Sequence, residues 1–253
     1  MMNVLIFDIT GRFGHFRKYY SNSSALSFGL PPRTTICGMI GAIMGWERDS
    51  YYEWMLRDQC KIALACKSPI RKTIHKLNFL YIKNSSHLNA SYGLPTQVPF
   101  EIVSAPVFRT ENLCYRIYIN HKNQEIFTQL RNRLMKNESE FSLSLGSANF
   151  QASYQWIDEV PVQIIEAPGD AEIKLVSVIP KDKITDFLFE KNMDKVLVNE
   201  LIPLEFNKQR DLTALKEIIY CEQGQPLHLK VKVPYYTIRI EALNIEENIV
   251  FME

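Results

Sequence analysis

Residues Asn3–Thr10 set Val, Leu, Ile and Phe among a few polar positions, and the run predicts a strand ended by Gly11. Pro32 predicts the start of a helix, because its missing N–H costs nothing in a first turn. Ile36, Met39, Ile40 and Ile43 recur at helical spacing and give that helix a buried side as far as about Gly45. Gly38, Gly41 and Gly45 weaken it, and close approach to a sheet beneath is the expected compensation. Ser50 and Glu53 match a capping box and predict a short second helix. Residues 60–67, 100–108 and 113–120 read as strands, the last with the period-two alternation of a half-buried strand. Ile126, Phe127, Leu130 and Leu134 predict a helix over 124–136. Phe141–Leu145 reads as a further strand, closed by a turn at Gly146–Asn149.

Residues 68–98 interrupt this order. They are polar and basic, with strand-like pieces near Leu77–Ile82, and read as an arm or hairpin projecting from the fold. Without the arm the order is β-α-β-β-α-β, which predicts an α+β chain with a ferredoxin-like split βαβ unit over residues 1–150. Beyond residue 150 the apolar runs are short, β-rich and punctuated by prolines, and predict a smaller β-rich domain over 151–253.

Composition adds limits. With 253 residues and 46% hydrophobic side chains the chain has material for a sizeable core. No stretch approaches the roughly 20 apolar residues that span a bilayer, and nothing at the N-terminus reads as a secretory signal. The expectation is a cytoplasmic protein without membrane contact. Five cysteines, widely spaced and never in C-x-x-C, read as reduced thiols. The net charge of +1 hides an asymmetry: residues 1–126 carry 15 Lys/Arg against 8 Asp/Glu, and residues 127–253 carry 14 against 20. Residues 9–46 and 59–100 contain no acid at all. That distribution suggests an anionic partner for the first half and a different neighbour for the second, although solvated surface gives the same pattern.

The long segment from Gly11 to Pro32 carries the most suggestive chemistry. In G-R-F-G-H-F-R-K-Y, Arg12, Arg17 and Lys18 can neutralise phosphates, and His15, Phe16 and Tyr19 can stack on unpaired bases. Interleaved cations and rings suit single-stranded nucleic acid, where stacking contributes roughly 1–3 kcal/mol per base. The alternative is a loop whose aromatics fill a local core. Arg33 and Thr34 stand at a helix start, where backbone N–H groups attract phosphate; simple capping explains them equally well. Gly146, Ser147 and Asn149 can touch a backbone phosphate, and a tight turn is the plainer reading. No histidine pair has metal-ligand spacing, so neither a metal nor a cofactor is expected. A metal-independent ribonuclease needs only a general acid and base around a 2′-hydroxyl, and His15, Tyr19, Tyr20 or His75 are the side chains that offer them.

Those residues carry a family resemblance. The opening strand with G-H-F-R-K at 14–18 and P-P-R-T-T-I-C-G-M-I-G-A-I-M-G at 31–45 resembles the CRISPR-associated Cas-five family of the RAMP superfamily. T-Q-V-P-F-E at 96–101, Y-R-I-Y-I at 115–119 and L-S-L-G at 143–146 agree with it. The match is dense over residues 2–149 and weak beyond. The resemblance implies an RRM-like palm whose projecting thumb is the arm at about 68–108. It implies a type I-B-like subunit of Cascade that grips the 5′ handle of the crRNA without cutting it. The expected partners are a backbone subunit, the large PAM-recognising subunit and target DNA near the PAM. Arg12, His15, Phe16, Arg17 and Lys18 fall on the family's loop, Arg33 and Thr34 on its first helix, and Lys72 and Lys76 on the thumb. In type I-C relatives the same fold cuts repeat RNA, so an endoribonuclease is the alternative.

Overall fold

The apolar run that opens the chain becomes the middle strand of a sheet covered on both faces. The computed structural model describes residues 2–22, 24–89, 91, 95–166, 171–188 and 195–253. In order, β1 (Asn3–Gly11), α1 (Arg33–Met44), β2 (Cys60–Cys66), β3 (Arg71–Leu80), β4 (Pro95–Ser104), β5 (Leu113–His121), α2 (Gln124–Lys136) and β6 (Gln151–Pro161) make the first part of the chain. One sheet runs β2-β5-β1-β6 with every neighbour antiparallel. Leu143–Ser144 adds a two-residue edge against Gln151 and Ala152. The strand expected at Phe141–Leu145 is therefore only this edge. Its place beside β1 belongs to β6, so the expected boundary at residue 150 falls just before a strand that completes the sheet.

Both faces of that sheet are buried. Leu5, Phe7 and Ile9 pack beneath α1 and α2 with Ile36, Ile40, Phe127 and Leu130. Val4, Ile6 and Tyr118 pack on the other side with Val160, Ile238, Ile240 and Ile249. This is why β1 reads as a nearly continuous apolar run. β5, expected to be half-buried, is buried on both faces for the same reason. Its Arg116 forms a two-pronged pair with Asp8 at 2.8 and 3.0 Å and reaches Glu247, which also accepts the Tyr118 hydroxyl. Asp8, Arg116, Tyr118 and Glu247 are thus matched on the covered face, as burial demands.

The second half supplies the cover. It contains β7 (Ala171–Leu175), β8 (Leu197–Phe206), β9 (Leu212–Cys221), β10 (Leu227–Val231), β11 (Tyr235–Ile240) and β12 (Ile245–Ile249). One sheet runs from Gln163–Ile165 through β11, β12, β7 and β10 to Ile184–Phe187; β8 and β9 pair as a long hairpin beside Ile179–Pro180. Ile202, Leu204, Ile218 and Tyr220 from that hairpin enter the same core as Leu5 and Phe7. Two apolar clusters thus draw side chains from both halves, and a third, around Leu175, Leu229 and Val231, lies within the second.

Local rules explain most boundaries. Asn123 caps α2 by accepting from the N–H groups of Glu125 and Ile126, and Asn137 ends it in the left-handed region. Gly45 ends α1 with φ 76°. The capping box at Ser50 does not make a helix. Ser50 Oγ bonds back to the Glu47 carbonyl, and a single turn at Tyr51–Met55 follows. Gly38 and Gly41 do not face the sheet as expected. A Cβ on either would meet the Tyr51 ring or hydroxyl at 3.2–3.3 Å.

β3 and β4 pair along their whole length, from Arg71 with Ser104 to Leu80 with Pro95, and form the expected projecting hairpin. Ile74, Phe79, Leu80, Tyr81 and Ile82 are exposed on it, which is why the segment lacks a core pattern. Residues 90 and 92–94 of the expected arm lie outside the described residues. Among the described residues no helix is long and apolar enough to cross a membrane, and no cluster of His, Cys, Asp or Glu is placed to hold a metal.

The charge asymmetry has an internal outlet. Acids of the second half pair with cations of the first: Glu200 with Lys18 and Lys72, Glu205 with Arg57, Glu247 with Lys67 and Arg116, and Glu253 with Arg33. Much of the charge assigned from sequence to outside partners is spent between the two halves.

Candidate nucleic-acid interface

The segment after β1 is long but tied down at several points. Phe13–Gly14 pair with Val103–Ser104 at the base of the hairpin, and Phe16–Arg17 pair with Ser27–Phe28. The His15 N–H bonds to the Leu145 carbonyl at 2.9 Å. Its ring stacks on Phe100 with centroids 4.0 Å apart, and Nδ1 donates to the Glu101 carbonyl at 2.7 Å. Burial is the main reason its pKa falls below the usual 6.5, and the ring is neutral at neutral pH with Nε2 unprotonated.

These ties leave an open groove of about 770 Å³. Its floor is one face of α1, where Thr34, Gly38 and Ala42 follow at four-residue steps beside Thr35. His15 and Arg17 stand on one side, and Ser142, Ser144, Gly146 and Ser147 on another. The hairpin supplies Phe79, Val98 and Phe100 as a lip. None of the described residues lining the groove is acidic. At its helical end α1 has no acid in the first turn and no side-chain cap, so the positive end of the helix is not neutralised locally.

The structure brings together six of the residues expected at this site: His15, Phe16, Arg17, Thr34, Gly146 and Ser147. Arg12, Tyr19, Lys76 and Asn149 are exposed but outside the groove lining. Four of the expected residues are corrected. Phe16 is a core side chain, 2% exposed and edge-on to Tyr115, so it is not free to stack on a base. Arg33 is 1% exposed and directed inward, with bonds to Glu253, the Leu204 carbonyl and the Cys60 carbonyl. Burial alone would lower its pKa, but neighbouring Cys37 and Glu253 hold it above the ordinary range. Lys18 and Lys72 both reach Glu200 Oε1, at 3.1 and 2.8 Å. Burial disfavours the charge on Lys18, yet Glu200 outweighs it and raises the pKa.

Sequence reasoning missed Phe79, Phe100, Asn22, Ser24 and Tyr51, which also line the groove; Thr35, a donor expected beside Arg33 and Thr34 at the helix start, lines it too. One signal was readable. Small residues at 34, 38 and 42 recur on one face of α1 and leave room beside it, where Tyr51 also stands. The aromatic lip had no such signal, because its rings come from a hairpin folded back over a loop some 65 residues earlier.

Gly146 has a structural reason to be glycine. It sits at φ 86°, and a Cβ there would lie 2.0 Å from the His15 carbonyl oxygen. Gly146→Ala is expected to lose more than about 1 kcal/mol of stability and to push the His15 loop off the turn. Thermal unfolding tests this, and unchanged melting contradicts the close approach.

The family model described as CRISPR-associated protein (Cas_Cas5) matches residues 4–210. No curated protein matches the chain. Among solved structures it is similar to a CRISPR protein from Archaeoglobus fulgidus, with 14% identity, a TM-score of 0.53 and 98% of both chains covered. It also aligns with a chain of a CRISPR RNA-guided surveillance complex, at 10% identity and a TM-score of 0.47, covering 91% of this chain and 92% of the other. The first of these likenesses extends over the whole fold.

Proposed function

We propose, from the premise that this chain belongs to the CRISPR-associated protein (Cas_Cas5) family, that it is a non-catalytic crRNA-binding subunit of a type I Cascade complex and holds the 5′ handle in the groove. One observation carries the reading: an open, acid-free groove lined by Arg17, the start of α1 and aromatic rings. Arg17 and the first-turn N–H groups suit phosphates. Phe79, and the His15–Phe100 stack, suit unpaired bases. The strand order β2-β5-β1-β6, with α1 and α2 on one face, supports a ferredoxin-like palm, and β3–β4 supports a thumb. RRM-type domains read RNA on the open sheet face. Here that face is covered by β11 and β12, which favours the groove.

Binding without cutting fits how the candidate acid–base groups are used. Lys72 is held by Glu200, whereas His15, anchored through Nδ1 to the Glu101 carbonyl, keeps Nε2 as the candidate base of the competing reading. His75 stands exposed on the hairpin, and a metal-independent endoribonuclease is the competing reading. The exposed apolar side chains of the hairpin support a surface covered by a backbone subunit. The large subunit and PAM-proximal DNA lie beyond it in this reading, and the cytoplasm is the setting.

The test is binding of a repeat-derived RNA across a salt series. Affinity is expected to fall steeply with salt, because phosphate contacts release counterions. Arg17→Ala should weaken binding several-fold and flatten the salt slope by about 0.7, with melting unchanged. In EDTA the RNA should stay intact. A discrete cut, lost in His15→Ala or His75→Ala, would establish the endoribonuclease instead.

A further inference from the structure

Beside the groove lies a second pocket of about 330 Å³, and Ser142 and Leu143 line both. We propose that this pocket is a base-reading subsite that takes one unpaired nucleobase of the strand lying in the groove. The assignment rests on the reading of the groove as an RNA site.

The two cavities differ in chemistry. The groove offers Arg17, His15 and a helix start. None of the described residues lining the second pocket is Lys, Arg, His, Asp or Glu. A phosphate placed there would lose water and gain no cation, an unfavourable exchange. A nucleobase is neutral, with a flat face and a hydrogen-bonding edge. For the face, Phe141 presents a ring that is 54% exposed. For the edge, Asn137 and Gln151 each present an amide that donates and accepts. The Asn137 backbone is fixed at the end of α2, at φ 55° with its N–H on the carbonyls of Arg133 and Leu134, which sets where its side chain starts. Tyr154 spends its hydroxyl on the Glu138 carbonyl at 2.8 Å and serves as wall. The volume is near the lower end of small-ligand sites, roughly 300–1,000 Å³, which suits a single base and not a duplex. Phosphates can therefore stay with Arg17 while one base turns over the Ser142–Leu143 edge.

The experiment uses the full chain and a fluorescein-labelled single-stranded RNA carrying the repeat-derived handle, with an abasic site moved through it one position at a time. Anisotropy gives each affinity. One position is expected at which removing the base weakens wild-type binding roughly fivefold or more. The same removal should have little effect in Phe141→Ala, and base preference there should relax in Gln151→Ala. Both side chains are exposed, so folding is not at issue. If every abasic penalty is the same in both variants as in wild type, while Arg17→Ala still weakens binding, the subsite is wrong and the groove stands. If wild-type protein does not bind the RNA, the groove reading falls and the subsite with it.

Discussion

Arg33→Ala is expected to cost roughly 3–5 kcal/mol of stability and to lower the melting temperature by on the order of 10 °C. The reason is the set of groups left behind. Glu253 would lose the guanidinium that its Oε1 contacts at 2.5 Å, and the Leu204 and Cys60 carbonyls would lose their donors at 3.1 and 2.7 Å. Arg33 thereby joins α1, β2, β8 and the last residue of the chain. Arg33→Lys should rescue little, because one ammonium cannot reproduce a fork directed at three acceptors. Chemical denaturation measures the effect. Near-normal stability with a large loss of RNA affinity would instead make Arg33 a phosphate ligand, as its place at a helix start suggests.

Glu200→Ala is expected to cost a similar amount at neutral pH. Glu200 is buried and accepts from the Gly29 N–H at 3.0 Å, the Tyr220 hydroxyl at 3.1 Å, Lys72 at 2.8 Å and Lys18 at 3.1 Å. Removing it leaves two largely buried ammonium groups facing each other, the costly half of a broken buried pair. The pH dependence gives a second readout. Burial alone would raise the Glu200 pKa, but Lys72, the Gly29 N–H and Lys18 outweigh it, and the net shift is below the usual 4.5. A carboxylate with a depressed folded pKa stabilises fully above its unfolded value and loses that contribution as pH falls through the folded one. The stability gap between wild type and Glu200→Gln should therefore be constant above about pH 4.5 and close at lower pH. A gap that persists unchanged in acid would show that the charge on Glu200 contributes nothing.

These two residues show where sequence reading stops. The periodic signals were local, and they placed β1, α1, β5 and α2 within a residue or two. Which strand closes the sheet was not local. Leu143–Ser144 and β6 both look extended, and only pairing with β1 selects β6. The same holds for charge. Residue type identified Lys18, Arg33 and Lys72 as cations at suitable places for phosphate. Their partners stand at 200 and 253, a separation that no spacing rule reaches. Arg17 and His15 both line the groove: Ser27 and Ser21 of the same loop hold Arg17, while Leu145, Phe100 and Glu101, far along the chain, hold His15. The aromatic lip was out of view because Phe79 and Phe100 gain their role only when the hairpin folds back on the loop.

The central claim, that unpaired RNA lies in the acid-free groove, is tested most directly by photo-crosslinking a repeat-derived RNA to the protein and mapping the adducts by mass spectrometry. Adducts are expected on peptides carrying His15, Tyr51, Phe79 and Phe100. Adducts confined to β11 and β12, with the groove peptides unmodified at saturating RNA, would contradict it.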